Sequence, residues 1–165
     1  MLNDVIKKLD GKLLCIGINN KNISKTIEEN KQITFCHMLT NDSEDDGNDG
    51  SNITINIRDI NKKYKNIDNL IINLDSTKKY LYYFLKYLLI LSTKKVIFYT
   101  KSKHLIDKVV SRANKFNYEI KIEEKNNKYI LIINTKKHYK IKGRILFCID
   151  LMLNEIDKVT DILIK

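Results

Sequence analysis

Apolar residues along the chain recur with two different periods, one typical of helices and the other of strands. Near the start, Leu2, Val5 and Ile6 share one face of a helix that Gly11 should end, and the apolar run 13–16 follows as a buried strand. Later segments repeat this alternation. The pattern predicts helices over 2–9, 22–30, 76–91 and 104–116, and strands over 13–16, 32–39, 51–60, 67–75 and 94–100.

The segment "NYEIKIEEKNNKYILIINTKK", from Asn117 to Lys137, predicts a closing hairpin. Its two halves flank the stretch from Lys125 to Lys128, where paired asparagines tolerate the left-handed backbone of a tight turn. Because parallel neighbours need crossover connections, the earlier alternation of strands and helices predicts a mostly parallel sheet covered on both faces. We therefore expect an α/β fold, a three-layer sandwich with about seven strands that ends in an antiparallel hairpin.

The length of 165 residues fits one domain, with residues 1–142 as an α/β body and residues 143–165 as a C-terminal helical extension. The extension has the four-three apolar spacing of a helix with one narrow seam. The residues of this seam are Ile145, Ile149, Met152, Ile156, Val159 and Leu163. A lone helix must bury such a seam, so two alternatives are open: packing on the domain's own sheet, or pairing with another protein or a second copy as a homodimer.

The N-terminal segment argues against export and membrane insertion. Its first residues include acids and lysines and no long apolar run. Cys15, Cys36 and Cys148 are odd in number and far apart, so they predict neither a disulfide framework nor a metal cluster. These features predict a cytoplasmic protein with no membrane contact, in which the cysteines pack as small apolar side chains.

The net charge of +10 would usually indicate an acidic partner such as nucleic acid. The basic residues are 27 lysines and only 3 arginines, although arginine is the preferred residue for paired contacts with phosphates and bases. A coding sequence rich in A and T would give the same excess of lysine. The stretch 101–142 still carries 12 basic residues against 4 acids, so nucleic acid is retained as an alternative partner.

The connection between the second and third predicted strands is the acidic loop "DSEDDGNDG". Asp42, Glu44 and Asp46 match the first ligand positions of a calcium loop, but Ile53 stands where the final bidentate glutamate belongs. This mismatch favours a solvated acidic loop over a metal site. The sequence therefore predicts no bound metal.

From Lys12 to about Lys137, the order of elements resembles the class I S-adenosylmethionine-dependent methyltransferases, whose sheet also ends in a β-hairpin with an antiparallel last strand. The most similar segment is "INIRDINKKYKNIDNLIIN": a strand that ends in an acid, a polar connection, and Asp68 leading a buried strand. The resemblance implies a Rossmann-like fold with S-adenosylmethionine as cofactor. The cofactor would lie at the carboxyl ends of the strands, where open α/β sheets form their crevices.

The resemblance also assigns the cofactor to particular residues. Gly17 matches the first glycine of the family's cofactor loop, and Asn19 occupies a later glycine position. Asp42 would accept the ribose hydroxyls, and Asp59 would lie beside the adenine. Asn73 matches the first residue of the Asn-Pro-Pro-aromatic motif of amino-group methyltransferases. The resemblance assigns no catalytic base or nucleophile and no methyl acceptor.

Three departures from the family keep a second class of function open. Cys15 stands where the family has an acid, Lys21 stands where it has a glycine, and no proline follows Asn73. One alternative is a methyltransferase-like enzyme with an altered cofactor loop. The other is a non-catalytic member of the fold that acts as a binding or assembly module.

Overall fold

The computed structural model describes residues 1–18, 20–39, 67–76, 89, 92–115 and 117–135. These residues form three helices and six strands. The helices are α1 (Leu2–Ile6), α2 (Lys21–Glu29) and α3 (Lys103–Asn114). The strands are β1 (Gly11–Ile16), β2 (Ile33–Leu39), β3 (Ile67–Asn73), β4 (Ser92–Thr100), β5 (Glu119–Lys125) and β6 (Lys128–Asn134).

The six strands form one sheet in the order β2-β1-β3-β4-β6-β5. The first four of these strands are parallel to one another, and β6 runs antiparallel between β4 and β5. This confirms a mixed α/β fold, mostly parallel and closed by an antiparallel hairpin, which is consistent with a Rossmann-like sheet. The described sheet has six strands where the sequence predicts about seven.

Helices cover both faces of the sheet. Along β1, Leu13 and Cys15 pack in the cluster that contains α1 and α2, whereas Leu14 and Ile16 pack in the cluster that contains α3. All four side chains are fully buried. The sequence of a strand that is covered on both faces is an unbroken apolar run, which is why residues 13–16 could be recognised as a buried strand. β3 lies inside the sheet as well, between β1 and β4.

The first helix is shorter than the sequence predicts. It ends at Ile6 rather than at residue 9, and Gly11 is the first residue of β1 rather than the end of the helix. After Ile6 the chain continues in tighter turns, in which the backbone N–H groups of Lys8 and Leu9 donate to the carbonyls of Val5 and Ile6 at 3.0 Å. Asn30, at the end of α2, binds this segment, since its side-chain nitrogen donates to the carbonyl oxygens of Ile6 at 2.8 Å and Leu9 at 2.9 Å.

The closing hairpin turns through two residues, as the paired asparagines predict. Asn126 and Asn127 have φ angles of +52° and +54°, in the left-handed region that asparagine tolerates. Lys125 and Lys128 pair directly on either side of the turn.

Asp68 joins three strands at the amino end of the sheet. Its Oδ2 accepts from the backbone N–H of Lys12 on β1 at 2.8 Å, and its Oδ1 accepts from the Thr93 hydroxyl on β4 at 2.9 Å. Beside it, Asn69 donates through Nδ2 to the Asp10 carbonyl at 2.7 Å. The first residues of β3 therefore hold both neighbouring strands in register.

Four predicted features lie outside the described residues. They are the strand over 51–60, most of the helix over 76–91, the acidic loop at 42–49 and the extension over 143–165. The division into a body and a C-terminal helical extension stays a prediction.

Candidate functional site

The order of the strands reverses on either side of β1. From β1 the chain passes through α2 to β2, which pairs with one side of β1, whereas β3 pairs with the other side. In open α/β sheets, ligands bind beyond the carboxyl ends of the strands at such a reversal. The strands end there at Ile16 and Asn73.

Gly17 follows β1 directly and turns the chain toward α2. Its φ of +71° lies in the left-handed region, which glycine adopts without a steric penalty from Cβ. Asn20 then caps α2, because its side-chain oxygen accepts from the backbone N–H of Asn22 at 2.9 Å. The turn at Gly17 therefore leads directly into a capped helix.

Asn73 ties the end of β3 to the end of β1. Its side-chain nitrogen donates to the Gly17 carbonyl oxygen at 3.0 Å and to the Ser76 hydroxyl at 2.7 Å. Its side-chain oxygen accepts from the backbone N–H of Asp75 at 3.1 Å. Both N–H groups and the oxygen of this amide are thus engaged, which fixes the Gly17 carbonyl relative to β3.

Asp75 extends these hydrogen bonds to β4. One carboxylate oxygen accepts from the Thr100 hydroxyl, and the other accepts from the backbone N–H of Lys101 at 2.9 Å. The hydroxyl oxygen of Thr100, a fully buried residue, also accepts from the backbone N–H of Ser102 at 3.0 Å, just before α3. We call this set the carboxyl-edge network: Gly17, Asn73, Asp75, Ser76, Thr100, Lys101 and Ser102.

The structure brings together two of the five residues that the resemblance assigns to the cofactor. Gly17 and Asn73 are hydrogen-bonded neighbours at the reversal of the sheet. Asn19, Asp42 and Asp59 lie outside the described residues. Thr100 has no sequence signal beyond its place as the polar residue that ends an apolar strand.

Cys15 and Cys36 lie on the neighbouring strands β1 and β2. Cys15 is fully buried, as predicted, whereas Cys36 is only partly buried. Hydrogen bonding from the Cys15 thiol lowers the pKa of Cys36, and the same interaction together with burial raises the pKa of Cys15. Cys36 is therefore the more acidic thiol of the pair.

A cavity of about 260 Å³ lies on the α1 side of the hairpin, away from the carboxyl edge. Its lining includes acids and lysines of α1, β4 and β5, such as Asp4, Lys95, Lys121 and Glu123, together with Lys8, which follows α1. Its mixed charge does not select one class of ligand. The reversal between β1 and β3, where the turn and the network are located, is the better candidate site.

The basic stretch over 101–142 is described as far as residue 135. Its exposed lysines divide between two parts of the fold. Lys103 and Lys108 are on α3, which covers one face, whereas Lys121 lines the cavity on the α1 side. The described part of this stretch therefore spreads its charge over both faces, and binding of nucleic acid stays a prediction.

Within the described ranges, no group of three or more histidine, cysteine, aspartate and glutamate side chains is placed to share a metal ion. None of the helices in the same ranges has both the length and the apolar composition to cross a membrane.

No protein-family model and no curated protein sequence matches the chain. Among solved structures, it is similar to a precorrin-6y C5,15-methyltransferase from Geobacter metallireducens, with 9% identity, a TM-score of 0.46, and coverage of 81% of this chain and 84% of that one. It is also similar to a release factor-specific protein-(glutamine-N5) methyltransferase from Alicyclobacillus acidocaldarius, with 6% identity, a TM-score of 0.45, and coverage of 81% and 86%.

Proposed function

We propose that this chain is a methyltransferase-like protein that binds S-adenosylmethionine beyond the carboxyl ends of β1 and β3. The observation that carries the proposal is the hydrogen bond from Asn73 to the Gly17 carbonyl at the reversal of the sheet. It holds a left-handed glycine turn where α/β sheets of this kind bring backbone close to a nucleoside ligand.

Each residue has a distinct part in this proposal. Gly17 fits the cofactor because a turn without a Cβ permits close approach, and its φ of +71° disfavours any other residue. Asn73 is a positioning residue that holds this turn against β3. Asn19 would continue the loop, and Asp42 and Asp59 would contact the ribose and the adenine, as the resemblance implies. The methyl acceptor is left unassigned.

A non-catalytic binding or assembly module is the second candidate, and one observation favours it. The Asn73 amide and both carboxylate oxygens of Asp75 bond to groups of the chain itself. Side chains that are engaged in this way stabilise the edge of the sheet, and their polar atoms are not available to bind a reacting group. In this alternative the same network keeps the carboxyl edge rigid, and the protein acts by binding a partner through its surface.

Isothermal titration of the full chain with S-adenosylmethionine and with S-adenosylhomocysteine separates the two candidates. The proposal predicts a micromolar dissociation constant for both ligands, or about −8 kcal/mol at 1 μM. The absence of binding heat for both ligands at a concentration of about 1 mM would favour the module and reject the proposal.

A matched pair of asparagines on β3 tests whether binding occurs at this edge. Asn73 bonds the Gly17 carbonyl at the carboxyl edge, and Asn69 bonds the Asp10 carbonyl at the amino edge. Both Asn73→Ala and Asn69→Ala remove an amide that joins β3 to the β1 side, so both should lower stability. Only Asn73→Ala should weaken ligand binding, by about tenfold or more. If both variants are folded and bind the ligand with equal affinity, the ligand does not bind at the carboxyl edge.

A further inference from the structure

We propose that β5 pairs with the β5 of a second copy of this chain, antiparallel and across a two-fold axis at Ile122. Two six-stranded sheets would then continue into each other through their hairpin edges. This interface is separate from the candidate site at the carboxyl edge and does not depend on the proposed function.

Within the described residues, β5 is the last strand of the sheet and pairs only with β6. Lys125 and Lys128 flank a two-residue turn, so this pair exchanges both of its backbone hydrogen bonds. Because antiparallel pairs alternate, every second residue of β5 directs its N–H and C=O groups away from β6. The residues that do so are Ile120, Ile122 and Glu124.

An axis at Ile122 gives these three residues hydrogen-bonding partners in the second copy. Ile122 would exchange both backbone bonds with Ile122 of the second copy, and Ile120 would do so with Glu124. Within the described residues this edge has no second partner strand, and such an edge is a ready template for a further strand. The axis at Ile122 is also the arrangement that aligns all seven residues of β5.

The side chains of "EIKIEEK" are charge-complementary in this alignment. Glu119 lies opposite Lys125, and Lys121 lies opposite Glu123, and symmetry repeats both pairs. Opposite charges directly across two strands stabilise their pairing. Moving the axis by one residue would instead place Lys121 or Glu123 opposite itself, so the charges favour one register over its neighbours.

The exposure of Ile122 in the single chain supports the same arrangement. Its side chain is 49% exposed, and Phe35, at 45%, is the other large apolar side chain so exposed in the described part of the chain. At the axis, the Ile122 side chains of the two chains would lie side by side and cover each other. In the single chain, Lys121 bonds Glu123 on its own strand at 2.7 Å, but Lys121 is 69% exposed, and such a surface ion pair contributes little.

Sedimentation equilibrium on the full chain tests the proposal through the reversal of two charges. The parent should dimerise with a micromolar dissociation constant. Lys121→Glu and Glu123→Lys each place like charges opposite one another and should weaken the dimer by about tenfold or more. A mixture of these two variants should form a heterodimer, since the two acids of one chain then face the two lysines of the other. The double variant Lys121→Glu/Glu123→Lys should regain the parent's affinity.

Lys8→Glu is the matched control. Lys8 lines the same cavity as Lys121 but lies beyond α1, so this variant changes the net charge equally and should leave the dimer intact. A parent that stays monomeric up to about 500 μM would overturn the proposal. A dimer that tolerates both reversals and is lost in Ile156→Asp would overturn it as well, and would assign association to the extension over 143–165.

Discussion

The carboxylate of Asp68 occupies the space into which a side chain at Gly11 would point. A Cβ placed on Gly11 would lie 2.1 Å from Oδ2 of Asp68, the oxygen that accepts from the backbone N–H of Lys12. Gly11 also has a φ of +79°. The backbone of β1 and the side chain of Asp68 therefore fit together only because residue 11 is a glycine.

Gly11→Ala should lower the free energy of unfolding by about 3 kcal/mol. The left-handed backbone accounts for about 1 kcal/mol of this, and displacement of the Asp68 carboxylate from Lys12 accounts for the rest. Urea unfolding of the parent and the variant at neutral pH measures the difference.

A double-mutant cycle separates the two contributions. In the background Asp68→Ala, the clash is absent, so the same change at Gly11 should cost only about 1 kcal/mol. Equal costs in both backgrounds would show that Asp68 has no part in the requirement for glycine.

The strands could be predicted well because their signals are local. A strand covered on both faces is a short apolar run, and β1, β3 and β4 each contain one. The hairpin could be predicted because Asn126 and Asn127 supply the left-handed backbone themselves. Gly17 was recognisable for a similar reason, since a glycine directly after a buried strand marks a turn.

The remaining features depend on contacts between residues that are distant in sequence. The side chain that binds the end of α1 belongs to Asn30, which lies 24 positions after Ile6. The partner of Gly17 is Asn73, 56 positions away. No periodicity in the sequence reports such pairs, because they exist only once the strands are in register. The candidate site could therefore be predicted as a turn but not as a hydrogen-bonded network.

Asn30→Ala should lower the free energy of unfolding by about 2 kcal/mol. The substitution removes the donor to the carbonyls of Ile6 and Leu9, and the acceptor for the backbone N–H of Gln32 at 3.0 Å. Asn30→Asp should cost more at neutral pH, because it turns a carboxylate toward two carbonyl oxygens. Urea unfolding at neutral pH compares the two. Asn114→Ala, at an exposed helix end, serves as control and should change stability by less than about 0.5 kcal/mol.

Cys36 should react with iodoacetamide before Cys15, and with a midpoint below that of an unperturbed thiol. Its pKa is lowered by the hydrogen bond from Cys15, which stabilises the thiolate, so more thiolate is present at neutral pH. The rate is followed against pH by mass spectrometry of the separated peptides, so that Cys148 is scored independently.

Two substitutions at Cys15 test the cause of this reactivity. Cys15→Ala removes the donor and should move the midpoint of Cys36 upward, whereas Cys15→Ser keeps a donor and should move it less. Identical midpoints in the parent and in Cys15→Ala would mean that Cys15 does not set the acidity of Cys36.

The ion pair between Asp10 and Lys94 should make a small, pH-dependent contribution to stability. Lys94 Nζ lies 3.0 Å from Asp10 Oδ1, and this contact lowers the pKa of Asp10. A carboxyl group with a lowered pKa stabilises the fold above its unfolded value of about 3.9, and this stabilisation is lost as the pH falls through the lowered value. The Asp10 side chain is 60% exposed, so the pair should contribute less than about 1 kcal/mol.

Lys94→Met keeps the apolar stem of the side chain and removes its charge. Urea unfolding should find it less stable than the parent at neutral pH, with a difference that shrinks as the pH falls through the lowered pKa of Asp10 and in about 1 M salt. Lys94 is also 3.8 Å from Asp68 Oδ1, so Asp10→Asn is measured alongside and should show the same pH trend with a smaller amplitude. A difference that persists unchanged at low pH and in high salt would mean that Lys94 stabilises the fold by packing of its stem and not by its charge.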